Sequence, residues 1–103
     1  MRFAIKGVFQ LETHFSSNTR PIEMLYECRV INLDTEEEEE AYRNALVIFK
    51  EDQWEAVNPD NHIKYQRQRF LGINRIRDLQ CMELYEVWYE YLDECPTILT
   101  RNE

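Results

Sequence analysis

Along the first dozen residues apolar and polar side chains alternate. Phe3, Ile5, Phe9 and Leu11 share one parity, interrupted by Gly7, while Lys6, Gln10 and Glu12 share the other. A period of two is the pattern of a half-buried strand. Residues 14 to 21, with SSNTRP at their centre, carry the serine, asparagine and proline chemistry of a turn. Strand periodicity returns over residues 22 to 33, with Met24, Tyr26, Cys28 and Val30 on one face and Leu25, Ile31 and Leu33 on the other. A hairpin of two long strands is expected.

The period then changes. In DTEEEEEAYRNAL, Thr35 and Glu38 stand at the spacing of a capping box, in which the hydroxyl accepts from the Glu38 N–H and the carboxylate reaches back to the cap. This predicts a helix that opens at Thr35 and runs to about residue 51. At about 100° per residue Ala41, Tyr42, Ala45, Ile48 and Phe49 fall on one arc, and Glu36, Glu39, Glu40, Arg43, Val47 and Lys50 on the opposite one. Residues 52 to 57 either extend the helix or turn Trp54 away from it, and Asn58-Pro59 disfavours anything further.

Residues 63 to 79 place Tyr65, Leu71 and Ile73 on the parity of Arg67, Arg69, Arg75 and Arg77, with Gly72 marking a bulge or bend in a long strand. In residues 83 to 92, ELYEVWYEYL, Tyr85, Val87, Tyr89 and Tyr91 alternate with Leu84, Glu86, Trp88, Glu90 and Leu92. The tyrosine stripe is expected beneath the helix. Together these elements predict an α+β fold: an antiparallel sheet of about four strands in two hairpins, with one amphipathic helix packed on one face.

A chain of 103 residues has room for one core. The domain is expected to span residues 1 to 95, with 96 to 103 a C-terminal tail. With 44% hydrophobic and 13% aromatic residues, two glycines and three prolines, the composition is globular rather than disordered. No apolar block resembles a signal peptide, and none approaches the roughly 18 residues of a membrane span, so a cytoplasmic, membrane-free protein is expected. Cys28, Cys81 and Cys95 are odd in number and lack CxxC spacing, which suits reduced thiols better than a disulfide framework or zinc site.

Charge is unevenly distributed. Against a net −8 for the whole chain, residues 32 to 56 hold nine acids and two bases, a net of −7. Residues 62 to 79 hold five bases and one acid, whereas residues 80 to 95 hold five acids and no base, so those two blocks nearly cancel. The uncompensated charge belongs to the central segment.

Two readings of Glu36 to Glu40 follow. Carboxylates in a helix's first turn interact favourably with the macrodipole, at roughly 0.3 to 1 kcal/mol each. That effect fades beyond the first turn, and Glu36 with Glu40 is a like-charge pair four residues apart. Seven surplus negative charges also generate a field able to steer a basic partner. The arginines of residues 67 to 77 raise nucleic-acid binding, but a polyanion meets net repulsion from this chain, and pairing of Arg67 or Arg75 with Glu86 or Glu90 accounts for them. Trp88, between two glutamates, points away from the tyrosine stripe and suits an interface anchor. His14 and His62 have no zinc-ligand spacing, Cys28 sits on an apolar face without an assignable base, and no carboxylate has a context that raises its pKa. No catalytic residue, metal or cofactor is expected.

The segments LYECRVINLDTEEEEEAYRNA, RFLGINRIRDL and EVWYEYL resemble a family of small bacterial proteins, domain of unknown function family 4288, over about residues 22 to 92. The likeness rests on Glu39-Glu40-Ala41 opening a helix, on Phe70-Leu71-Gly72-Ile73, and on Asp78-Leu79. It implies a compact α+β fold and no activity. The glutamate run here is longer, and residues 62 to 79 more basic, than the resemblance implies.

The functional expectation is a small acidic protein-binding domain of the immunity type, which neutralises a basic partner such as a nuclease toxin. Glu36, Glu39, Glu40, Asp52 and Glu55 would steer, and Val47, Trp54 and Trp88 would anchor. The alternative is a self-associating structural domain, a homodimer formed through an edge strand and the Trp88 face.

Overall fold

A computed structural model describes residues 1–79, 89–92 and 95–99. The chain runs β1 (Arg2–Phe15), β2 (Glu23–Asp34), α1 (Glu38–Glu51), β3 (Trp54–Asp60), β4 (Ile63–Asp78) and β5 (Tyr89–Leu92). The strands form one sheet in the order β3-β4-β1-β2-β5, every pairing antiparallel. The α+β class, the antiparallel sheet and, among the described residues, one helix on one face are as the periodicity predicts. Among the described residues no helix is long and apolar enough to cross a membrane.

β1 and β2 form the expected hairpin, in unbroken register from Arg2 opposite Asp34 to Thr13 opposite Glu23. Odd-numbered residues of both strands face the helix. The core beneath it is Phe3, Ile5 and Phe9 from β1, Ile73 from β4, and Ala41, Tyr42, Ala45 and Phe49 from α1. Ala41 and Ala45 let the helix axis approach the sheet closely. Phe49 then fills the space at Gly7, where a Cβ would lie 2.7 Å from the ring. Phe49 packs edge-on to Phe9, with ring centroids 5.7 Å apart, and stacks on Phe70 at 5.2 Å. Val8 and Cys28, directly opposite one another, are buried on the other face.

Several details differ from the sequence pattern. The helix begins at Glu38, not Thr35. β2 continues to Asp34 and the Thr35 N–H donates to the Met1 carbonyl at 2.9 Å, so Thr35 belongs to the sheet's margin. Its hydroxyl donates to the Glu37 carbonyl, and Glu37 is an N-cap without a side-chain hydrogen bond. No capping box forms. Ile48, expected on the buried arc, is 38% exposed at the margin of the packed stripe.

Residues 54–60 make a strand that the periodicity left undecided. The second hairpin is therefore β3 with β4, and β4's other neighbour is β1. β5 lies at the far edge, beside β2. Arg67 pairs with Glu12 of the neighbouring β1 at 2.8 Å; the side chains of Glu86 and Glu90, expected to meet Arg67 or Arg75, lie outside the described residues. The tyrosine side chains expected beneath the helix, and Trp88, lie outside the described residues. Of the expected C-terminal tail, Leu99 packs against the core.

The sheet outruns its helix. Sixteen residues of β4 at about 3.3 Å each span some 50 Å, matching the 50 Å long axis of the molecule. Fourteen helical residues cover only about 21 Å. The radius of gyration, 16.0 Å, accordingly exceeds the roughly 13 Å of a compact domain this long. Both hairpins project beyond the helix-covered half.

Candidate functional site

The outward face of α1 follows from the same 3.6-residue period that buries its inner face. Taking about 100° per residue, the buried Ala41, Tyr42, Ala45 and Phe49 centre on one pole, and Val47 lies almost diametrically opposite. Val47 is 60% exposed. Glu40, Arg43, Lys50 and Glu51 surround it at the three- and four-residue spacings and at i−7, and all four are exposed. Toward the N-terminus the surface continues through Glu36 to Glu39, every one exposed. Glu38, Glu39 and Glu40 occupy the first turn and Lys50 the last, so both ends complement the helix dipole. The side chains of Glu36, Glu37 and Glu40 form no ion pair among the described residues.

The sheet's cations are engaged elsewhere. Arg2 meets Asp34 at 3.4 Å, at the sheet's margin. Arg29 is held between Glu27 at 2.5 Å, Gln68 at 3.1 Å and Asp52 at 3.7 Å, with its guanidinium over the Phe9 ring. Arg69 donates to Gln10 at 2.8 Å, and Arg20 lies 3.6 Å over the Phe15 ring at the hairpin's tip. Lys6 pairs in register with Arg75, and Ala4 with Arg77, on the face turned from the helix. Positive charge thus collects within and behind the sheet while the helix surface keeps its negative excess.

Among the expected anchor and steering residues, the helix carries Glu39, Glu40 and Val47 at exposed positions, and Glu36, also exposed, precedes its N-cap. Asp52 lies apart. It is the C-cap, about 18 Å along the axis from Glu40. Its carbonyl accepts from Gln68 at 2.8 Å, and its carboxylate turns toward Arg29. Trp54, 42% exposed, opens β3 opposite Gln68, on the helix side. Glu55, the next residue, belongs to the other face by strand alternation, opposite Arg67. The Asp52–Glu55 stretch therefore does not extend the acidic helix face as one surface.

Glu55 instead joins a cross-strand network that the sequence pattern did not assemble. Glu12 accepts from His14 Nε2 at 2.5 Å and from Arg67 at 2.8 Å. Tyr65 donates to Glu55 at 2.5 Å and packs edge-on against His14. The His14 and Arg67 hydrogen bonds hold the Glu12 carboxyl below its ordinary range. The Glu55 carboxylate keeps the Tyr65 proton in place and pushes that phenol up. Arg67, bound to Glu12, is raised further. Arg67 Nε is buried without a partner. A signal was present in the sequence: Glu12 and His14 share one parity, as do Tyr65 and Arg67, so pairing β1 with β4 aligns all four.

Among the described residues no group of histidine, cysteine and carboxylate side chains could hold a metal ion. Cys28 is buried and Cys95 exposed, both as thiols. No family model, no curated protein and no solved structure matches the chain.

Proposed function

We propose that this chain is a small acidic protein-binding domain that presents the outer face of α1 to a basic protein, and that it acts as an immunity-type inhibitor of a toxin such as a nuclease. The observation that carries this reading is the exposed set Glu36, Glu37 and Glu40, without ion pairs among the described residues, leading to an exposed Val47. Clustered carboxylates accelerate encounter with a cationic surface, and that effect is screened beyond a Debye length of about 8 Å at physiological salt. Val47 supplies an apolar contact at the centre, where exclusion of water strengthens the surrounding charge pairs. Binding without chemistry needs no further group on this surface.

The test is capture of partners from the source cell by the wild-type chain and by a variant with Glu36, Glu39 and Glu40 reversed to lysine. Captured protein is then followed by association kinetics across salt. The expected result is a wild-type association rate that falls steeply with ionic strength, and a variant that associates at least ten-fold more slowly at low salt with a flat dependence. Equal rates with equal salt dependence would remove the helix face from the interface.

One observation favours a second reading, self-association. β3 is an edge strand with six of its seven residues exposed, Val57 at 74% among them. An edge of this kind is a template for pairing with another copy. Sedimentation over a hundred-fold concentration range separates the two readings, since a monomer throughout rules out the dimer.

A further inference from the structure

The Phe70-Leu71-Gly72-Ile73 motif has no role in binding through the helix face, and the structure gives it one. β4 departs from regular pairing with β1 twice within this stretch. Phe9 pairs with Phe70 but Val8 with Gly72, leaving Leu71 extra. Gly7 pairs with Ile73 but Lys6 with Arg75, leaving Asn74 extra. Two bulges in five residues expose and re-aim the strand's backbone. On the side away from β1, β3 reaches only as far as Gln68. Beyond it, the Phe70 N–H is taken by the Gln53 side chain at 3.0 Å.

The remaining edge is filled by the chain's own Thr97, Ile98 and Leu99. The Leu99 N–H donates to the Ile73 carbonyl at 2.7 Å, and Asn74 Nδ2 donates to the Thr97 carbonyl at 2.7 Å. Ile98 occupies the place of a side chain at Gly72, whose φ of +152° and missing Cβ make the niche; an added Cβ would lie 2.5 Å from Ile98 Cγ2. Leu99 packs against the core cluster.

We propose that the double bulge from Phe70 to Asn74 is an acceptor for a short extended peptide, kept closed by residues 97–99 acting as a releasable latch. Its ligand is an extended segment carrying a β-branched aliphatic residue followed by leucine, one for the Gly72 niche and one for the core's margin. Recognition is strand addition: backbone hydrogen bonds supply affinity and alternate side chains supply selectivity.

The probe is a fluorescent peptide of residues 96–101, titrated into the full-length chain and into full-length Leu99→Asp, which weakens the latch. Binding to Leu99→Asp at least ten-fold tighter than to wild type, lost when the peptide carries Ile98→Asp, is the expected result. Equal affinity for wild type and variant, no binding to a natively folded variant, or indifference to the peptide's Ile98→Asp change would overturn the proposal. Should Leu99→Asp not fold, hydrogen exchange of wild-type Leu99 decides. Opening at least a hundred-fold more often than the Phe9 amide supports a latch, and protection equal to that of Phe9 overturns it.

Discussion

Replacing Gly7 by alanine tests the packing of helix on sheet through the sign of its effect. Gly7 has no left-handed φ, so its backbone conformation is one that alanine can adopt. On backbone grounds alone Gly7→Ala should then stabilise the fold by about 0.4 to 1 kcal/mol, because the unfolded chain loses freedom. The structure predicts the reverse. A Cβ at Gly7 would stand 2.7, 2.8 and 2.9 Å from three ring carbons of Phe49. That ring is 1% exposed and held between Phe9 and Phe70, so it cannot step aside without forfeiting both aromatic contacts. Overpacking of this kind costs about 1 to 3 kcal/mol. Taking the middle of each range, Gly7→Ala should lose about 1.3 kcal/mol net of the backbone gain, or some 5 to 10 °C in Tm for a domain of this size.

Urea unfolding followed by tryptophan fluorescence measures the loss, and a double-mutant cycle assigns it. In a Phe49→Leu background the narrower side chain leaves room for the new methyl, so Gly7→Ala should cost at least about 1 kcal/mol less than in the wild type. A stabilising Gly7→Ala would refute the close approach of Phe49 to β1. So would an equal cost in both backgrounds.

Thr35→Ala should change stability by less than about 0.5 kcal/mol, against about 1 kcal/mol for loss of a true N-cap, because the Thr35 hydroxyl does not cap α1; thermal unfolding of the variant checks this. Glu37→Asp places a preferred capping residue at the observed N-cap and should gain up to about 1 kcal/mol in the same assay. The depressed Glu12 carboxyl contributes stability that is fully present above its unfolded value near 4.5 and is lost as pH falls through the lower folded value. Glu12→Gln should therefore flatten the urea midpoint against pH below about pH 4.5, and a slope identical to wild type would exclude the His14–Glu12–Arg67 linkage as its source. Tyrosinate formation, followed by ultraviolet absorbance, should begin at lower pH in Glu55→Gln, since the Tyr65 proton loses its acceptor carboxylate.

Strand periodicity located β1, β2 and β4, and helical periodicity located α1, because each buries one face and exposes the other. What the pattern missed has physical reasons. β3 is an edge strand with only Ala56 sheltered, so WEAVNPD has no buried stripe to announce it. Thr35 and Glu38 satisfy the spacing of a capping box, yet a long-range hydrogen bond from Thr35 to Met1 keeps the chain in the sheet for longer than local chemistry suggests. The docking of Leu99 depends on bulges in β4 that no local pattern places, although Gly72 marked the irregularity. The exposure of the acidic run was legible, with Val47 the apolar residue of the outward helix face, although only Glu38 to Glu40 of the run lie in the helix. The separation of Glu55 from that surface was not, because it hangs on the single-residue alternation of a strand the pattern left undecided.

Strand order also decides whether the helix keeps its charge. Had β5 rather than β1 lain beside β4, Glu12 would have lain without Arg67, and that arginine's charge would have been balanced at another edge. Setting β4 between β3 and β1 instead places Arg67 opposite both Glu12 and Glu55. Arg29, three strands from β3, still reaches Asp52 at 3.7 Å, its guanidinium extending over the Phe9 ring. Each of these cations is drawn toward carboxylates of the sheet or of the helix's C-terminal end, and none of their contacts reaches Glu36, Glu37 or Glu40. The field at the helix N-terminus is therefore set by topology as much as by composition. A chain of the same composition with its arginines beside the first turn of α1 would carry the same net charge and present no anionic surface there.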